Sequence, residues 1–192
     1  MNRKKILAIS LLTLACIPIV AFSMIKPLRI MTPTLFAELK CIDGKICTDD
    51  LSKAEEAQEL YNEGKQAAAS KVGPFHENPK VIFCSTQECA NTFGLGKRAG
   101  ITIGNIGAAF SPRGWKNFYV THELIHYRQA EELGNIAVFR KPKWLIEGMA
   151  YSLSGDPRHP LTQPFEDWRS HFEEWYSKIK AENLWQAAQS AD

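Results

Sequence analysis

Charged residues are missing from positions 6–25, ILAISLLTLACIPIVAFSMI, and beyond them apolar and polar positions fall into short periodic runs. As a helix that uncharged stretch would span about 30 Å, the thickness of a bilayer's hydrocarbon core. Thr48, Asp49 and Asp50 suit a helix N-cap. Behind them Leu51, Ala54, Ala57, Leu60, Tyr61, Ala67 and Ala68 recur at helical spacing, predicting a helix to residue 69 that Gly73 and Pro74 end. Residues 80–84, 100–104 and 108–110 read as three short strands. After a turn at 111–114, residues 115–133 have helical length and spacing and are closed by Gly134 and Asn135. Pro142 suits the first turn of a helix running to residue 153, before Ser154, Gly155, Asp156 and Pro157 stop it. A last helix is predicted from residue 165 through Ile179 towards Leu184 and Trp185, with Trp168, Phe172, Trp175 and Ile179 as its packing face. One helix, three strands and three helices predict an α+β domain with a short sheet packed on the later helices.

Length and charge narrow the class. The chain has 192 residues, 23 Lys+Arg and 21 Asp+Glu. Arg3, Lys4 and Lys5 all precede the apolar stretch, so residues 6–192 hold 20 basic against 21 acidic side chains and lack the basic field of a nucleic-acid binder. The division is a membrane-directing segment, 1–26, and one domain, 27–192, large enough to bury about two-thirds of its unfolded surface without a metal or disulfide to hold it. The basic N-terminus predicts an N-in helix with the domain exported. Two readings of that helix stand: an uncleaved anchor in the cytoplasmic membrane, or a signal cleaved near Ala21, Phe22 and Ser23. The length of the run favours the anchor. Cys16 invites a lipoprotein reading, against which the apolar run continues well past it.

Cys41, Cys47, Cys84 and Cys89 form two close pairs beyond the span. In an exported chain they predict two local disulfides, the first across the Asp43-Gly44 turn and the second between the strand at 80–84 and its exit loop. The alternative, a four-cysteine zinc site, lacks C-x-x-C spacing.

The candidate chemistry lies in Thr121-His-Glu-Leu-Ile-His126, an HExxH motif inside the helix predicted at 115–133. Residues four apart share a helix face, so His122 and His126 can ligate one Zn2+, with Glu123 beside them. A catalytic zinc needs a third protein ligand and one open position. Glu147, in Trp144-Leu-Ile-Glu-Gly-Met-Ala150, lies 21 positions beyond His126 on the next predicted helix, room enough for a reversing loop that returns it to the histidine face. Gly148 lets that helix pack closely against its neighbours, with Met149 and Ala150 behind.

These residues resemble the gluzincin metallopeptidases, the thermolysin- and aminopeptidase-like branch of the zincins, over about residues 115–155. The resemblance implies a zincin-like fold, with His122, His126 and Glu147 as zinc ligands and Glu123 as general base. A metzincin would need glycine at 129 and histidine at 132, where this chain has Gln129 and Glu132. Zincins bind substrate along a sheet edge, which residues 101–104 or 108–110 could supply. Tyr151, one turn beyond Glu147, and Arg158 and His159 in the next loop are the candidates for steadying an oxyanion. Where thermolysin-like relatives carry an acidic residue supporting a histidine ligand, this chain has Tyr151, leaving Asp156 or Glu131 to substitute.

Each residue also has a plainer reading. The two histidines can be solvated, Glu147 can pair with Lys143, Tyr151 can be a packing residue, and His159 can be an exposed loop histidine. His76 and His171 have no partner at ligand spacing. The agreement of motif, helix signal, distant Glu-Gly and exported chain favours the metal site. The expected function is a membrane-anchored zinc metallopeptidase whose domain faces the periplasm or exterior and acts on peptides or proteins, secreted if the signal is cleaved. The alternative is a non-catalytic zinc-binding or protein-binding module of the cell envelope on the same fold. Retention of Glu123 favours hydrolysis; the small size, with little room for a second lobe, favours the module.

Overall fold

A computed structural model describes residues 24–179 and 183–191. The uncharged run at 6–25 lies outside the described residues except for its last two positions. Among the described residues no helix is long and apolar enough to cross a membrane.

The domain is α+β around one five-stranded sheet in the order β1-β2-β3-β5-β4. The strands are β1 (Lys40–Ile42), β2 (Ile46–Thr48), β3 (Lys80–Phe83), β4 (Gly100–Ile103) and β5 (Gly107–Phe110). The helices are α1 (Ala54–Val72), α2 (Gln87–Thr92), α3 (Asn117–Leu133), α4 (Lys143–Leu153), α5 (Phe165–Tyr176) and α6 (Leu184–Ser190). β3 pairs in parallel with β2 and β5, while the β1–β2 and β4–β5 pairs are antiparallel.

Strand side chains alternate between faces, and both faces of the central strands are covered. Val81, Phe83, Ala108 and Phe110 meet α1, α3, α4, α5 and α6 in the larger core. Ile82, Cys84 and Ala109 meet Cys89 and Ala90 of α2, with Phe93, Leu95 and Ile30, in a smaller one. This double burial is why 81–84 and 108–110 read as continuous apolar runs rather than alternating ones. β5 lies between β3 and β4, so residues 108–110 offer no free edge; β4 is the terminal strand.

Both expected disulfides are present. Cys41 and Cys47 sit directly opposite each other across the β1–β2 hairpin, whose turn places Asp43 and Gly44 at φ 50° and 68°, and Cys84 is bonded to Cys89. Asp and Gly are residues that tolerate this left-handed backbone. Paired in this way, the cysteines are not the four-thiolate zinc site weighed as the alternative.

The elements depart from expectation in three places. β1 and β2, three residues each, are strands where only hairpin-like proximity is legible. α2 is capped by Thr86, whose side-chain oxygen accepts from the Cys89 N–H at 3.2 Å. The long final helix ends at Tyr176, and a separate α6 begins at Leu184. There Trp185 donates its indole N–H to the Val72 carbonyl at 2.8 Å, tying α6 to the end of α1.

Candidate metal centre

α3 and α4 carry the site. α3 is buried along most of its length, including Thr121, His122, Glu123 and Leu124, because it lies between the sheet and the other helices. The 3.6-residue period then puts both histidine rings over α4. α4 lies close against α5, and Gly148 makes this possible: a Cβ there would come within 2.9 Å of the Phe172 Cβ and still closer to the Trp168 carbonyl. Met149 and Ala150 are fully buried behind it, and Glu147 is turned towards α3.

The donor atoms converge. His122 Nε2 and His126 Nε2 are 3.2 Å apart, and Glu147 Oε2 is 3.9 Å and 3.5 Å from them. Ligands about 2.0–2.1 Å from a tetrahedral ion stand roughly 3.3–3.4 Å from one another; the two separations from His126 are close to this, and the His122–Glu147 separation is the longer edge. His122, His126 and Glu147 therefore form a group that can hold a metal ion.

Gln129 fixes which nitrogen of His126 is available. Its Nε2 donates to the Ile146 carbonyl at 2.8 Å, which leaves Oε1, an acceptor, 2.8 Å from His126 Nδ1. Nδ1 must then carry a proton, so Nε2 is the nitrogen left for a metal ion once its own proton, held by Glu147, is displaced. Neither expected substitute takes this role. Glu131 accepts the backbone N–H groups of His76 and Glu77 and pairs with Arg128. Asp156, buried, is engaged by the backbone and side chain of Arg158 and reaches His122 only as a nearby charge.

Burial and charge push the metal-free groups in opposite directions. Burial, aided by the charge of His126, lowers His122 to about 3. Burial opposes protonation of His126 as well, but the hydrogen bond and charge of Glu147 outweigh it and raise His126 to about 9. Glu147 is correspondingly lowered to about 2 by His126 and His122 against the effect of its own burial. Glu123 is raised, chiefly by burial.

Glu123 points towards the sheet. The Thr102 hydroxyl lies 2.7 Å from its Oε2 and 2.9 Å from its backbone carbonyl, while Oε1 accepts no hydrogen bond among the described residues. Gly100 makes room for this carboxylate: a Cβ there would stand 2.6 Å from Glu123 Cγ. Glu123 thus lies between the histidine pair and β4, at the floor of a cleft of about 550 Å³.

The Tyr151 ring packs edge-on to His122, 4.5 Å between centroids, and lines the cleft; burial raises its hydroxyl to about 12. Arg158 lines it too, over the rings of Phe118 and Tyr119. His159 is placed elsewhere. It is exposed and not among the cleft-lining residues, and its Nδ1 lies 2.6 Å from Arg169 Nη2. His171 stacks on Trp144, and His76 lies 3.5 Å from Glu132; neither belongs to the donor group. Gln129 and Thr102 are the site residues the sequence reading missed. Gln129, one turn past His126, carried a usable signal; Thr102, from a different element, carried none. Comparisons of the chain with protein-family models, curated proteins and solved structures each returned no match.

Proposed function

We propose that the chain is an exported, zinc-dependent peptidase of gluzincin type. The observation that carries this reading is the convergence of His122, His126 and Glu147, their donor atoms within 3.9 Å of one another, with a buried carboxylate, Glu123, beside them at the floor of an open cleft. A structural metal site has no use for such a carboxylate.

A divalent ion held by the three ligands would supply Lewis acidity towards a water and towards the substrate's carbonyl. Glu123 is the residue that would accept a proton from an attacking water and return one to the leaving amine. Its raised pKa makes it a better acceptor than an exposed carboxylate, and Thr102 holds one oxygen while leaving the other to work. Tyr151, a neutral phenol beside His122, is placed to donate to the developing oxyanion. β4, the terminal strand, lines the cleft through Gly100, Ile101 and Thr102 and gives an extended peptide a strand to pair with.

The uncharged run at 6–25 behind Arg3, Lys4 and Lys5 supports an anchor in the cytoplasmic membrane with the domain outside, and the two disulfides suit an oxidising compartment. The test is metal content and peptide hydrolysis by the full chain, compared with Glu147→Ala and Glu123→Gln. About one zinc per chain, weakened in Glu147→Ala, with hydrolysis abolished in a metal-replete Glu123→Gln, is the expected result. Full zinc retention in Glu147→Ala removes the gluzincin assignment. Zinc binding without hydrolysis of any peptide leaves the non-catalytic module.

A further inference from the structure

Charge is unevenly distributed along the cleft. Where β4 begins, Lys97, Arg98 and Arg113 line it, drawn together by a hydrogen bond from Arg113 Nη1 to the Lys97 carbonyl at 2.8 Å. Arg158 lies beside that end, its guanidinium 5.2 Å from the ring centroid of Tyr119 in the first turn of α3, but its charge is balanced by Asp156 and adds nothing to the cluster. Lys97, Arg98 and Arg113 make no ion pair among the described residues. The acidic groups of the cleft, Glu123 and Glu147, are engaged by Thr102 and by the histidines.

The far end differs. Beyond β4 the backbone N–H of Asn105 donates to Asn135 Oδ1 at 3.0 Å, which fixes the loop after α3 against the sheet. That loop brings Val138 and Phe139 into the cleft wall, Phe139 77% exposed, with Ile136 73% exposed beside them. Lys143 is the cation at this end, and its charge already acts on Glu147. Residues 6–192 are close to charge balance, so the basic cluster is a local concentration and not a general property of the surface.

We propose that the cleft selects an extended peptide with carboxylates on the side lying towards Gly100 and apolar side chains on the side lying towards Gly104. This deepens the peptidase reading and rests on it only in taking the ligand to be an extended chain beside β4. Unpaired cations in a cleft attract acidic side chains and repel basic ones. A large exposed aromatic beside the same cleft offers apolar contact that water does not. An acidic half and an apolar half thus each meet their complement when the peptide pairs along the strand.

The test uses the full chain as Glu123→Gln, loaded with Zn2+, and fluorescein-labelled peptides of one length carrying a Glu-Glu or a Lys-Lys pair in either half. Binding is read by anisotropy at low and high salt, and cleavage of the same peptides is measured with the unsubstituted chain. The expected result is roughly tenfold tighter binding of Glu-Glu over Lys-Lys in one half only, shrinking at high salt. The preference should disappear or invert in Lys97→Glu/Arg98→Glu, two exposed positions whose replacement leaves the core intact. Phe139→Ser should weaken peptides with an apolar opposite half and leave the charge preference in place. Equal binding of both charge types overturns the proposal, as does a preference that survives the double reversal. Cleavage without charge preference overturns it while leaving the peptidase reading standing. Selective binding with no cleavage supports it and removes the peptidase reading instead.

Discussion

Gln129→Leu separates the geometry of the metal site from its ligands. Gln129 is fully buried, and besides a weaker contact from Nε2 to the Met149 sulfur at 3.4 Å it has two with distinct consequences: Oε1 to His126 Nδ1 at 2.8 Å, and Nε2 to the Ile146 carbonyl at 2.8 Å. Leucine keeps similar bulk and loses both. His126 is then free to rotate or to place its proton on Nε2, where a metal needs the lone pair. Removing a hydrogen-bonded supporter of a ligand histidine costs typically about 10–100-fold in metal affinity, roughly 1.4–2.7 kcal/mol. Gln129→Glu tests the two contacts apart. A carboxylate still accepts from Nδ1, so zinc affinity should stay within about tenfold of the unsubstituted chain. It cannot donate to the Ile146 carbonyl, and the acceptor-to-acceptor clash should lower metal-free stability by about 1–3 kcal/mol. Affinity is measured by competition with a chromophoric chelator, and stability by urea unfolding of the metal-free protein. A folded Gln129→Leu that binds zinc as tightly as the unsubstituted chain would falsify the tautomer argument.

Other outcomes follow from the same contacts. Gly148→Ala gains about 1 kcal/mol of helix propensity but drives a Cβ into the backbone of Trp168 and the Cβ of Phe172. Overpacking of that kind costs about 1–3 kcal/mol, and because backbone must move, net destabilisation is expected as a lower urea midpoint. Zinc affinity should rise with pH. Glu147 holds a proton on His126 up to about 9, and binding must expel it, so affinity should climb by up to about tenfold per pH unit from 7 towards 9. A dissociation constant that does not change over that range would contradict the protonated His126–Glu147 pair. Replacing Cys41 and Cys47 by serine opens a loop with sequence separation 6, and chain entropy predicts a loss of about 2 kcal/mol by urea unfolding under oxidising conditions.

The residues on α3 and α4 were legible because helical periodicity is local. Four positions place His122 beside His126 on any α-helix, and a loop of the observed length brings Glu147 back to them. Gln129 was visible by the same rule, three positions past His126, yet position 129 had served only to exclude the metzincin pattern. What joins distant segments was not legible. The parallel pairing of β3 with both β2 and β5 depends on contacts between segments far apart in sequence. So does the Thr102 hydrogen bond to Glu123, which links residues 21 apart. β1 and β2 are too short to show a period, and Gly64 shows nothing of its purpose until α1 is seen against Val120 of α3, where a Cβ would stand 2.6 Å from Val120 Cγ1. The interruption after Tyr176 escaped because Trp175, Ile179 and Trp185 all pack on the same core, on both sides of the break, and so mimic one continuous stripe.

The division of ligands between two helices has a topological consequence. His126 on α3 and Glu147 on α4, 21 positions apart, would close a ring through coordinate bonds once they share an ion. A crosslink over a loop of that size restricts the unfolded chain by about 3 kcal/mol. The ring includes the segment with exposed Ile136 and Phe139, a natural place for an added protease such as trypsin or chymotrypsin to cut. A single cut there in the loaded protein would leave two fragments held both by the ion and by the core they share, and a chelator would lower the urea concentration at which they part.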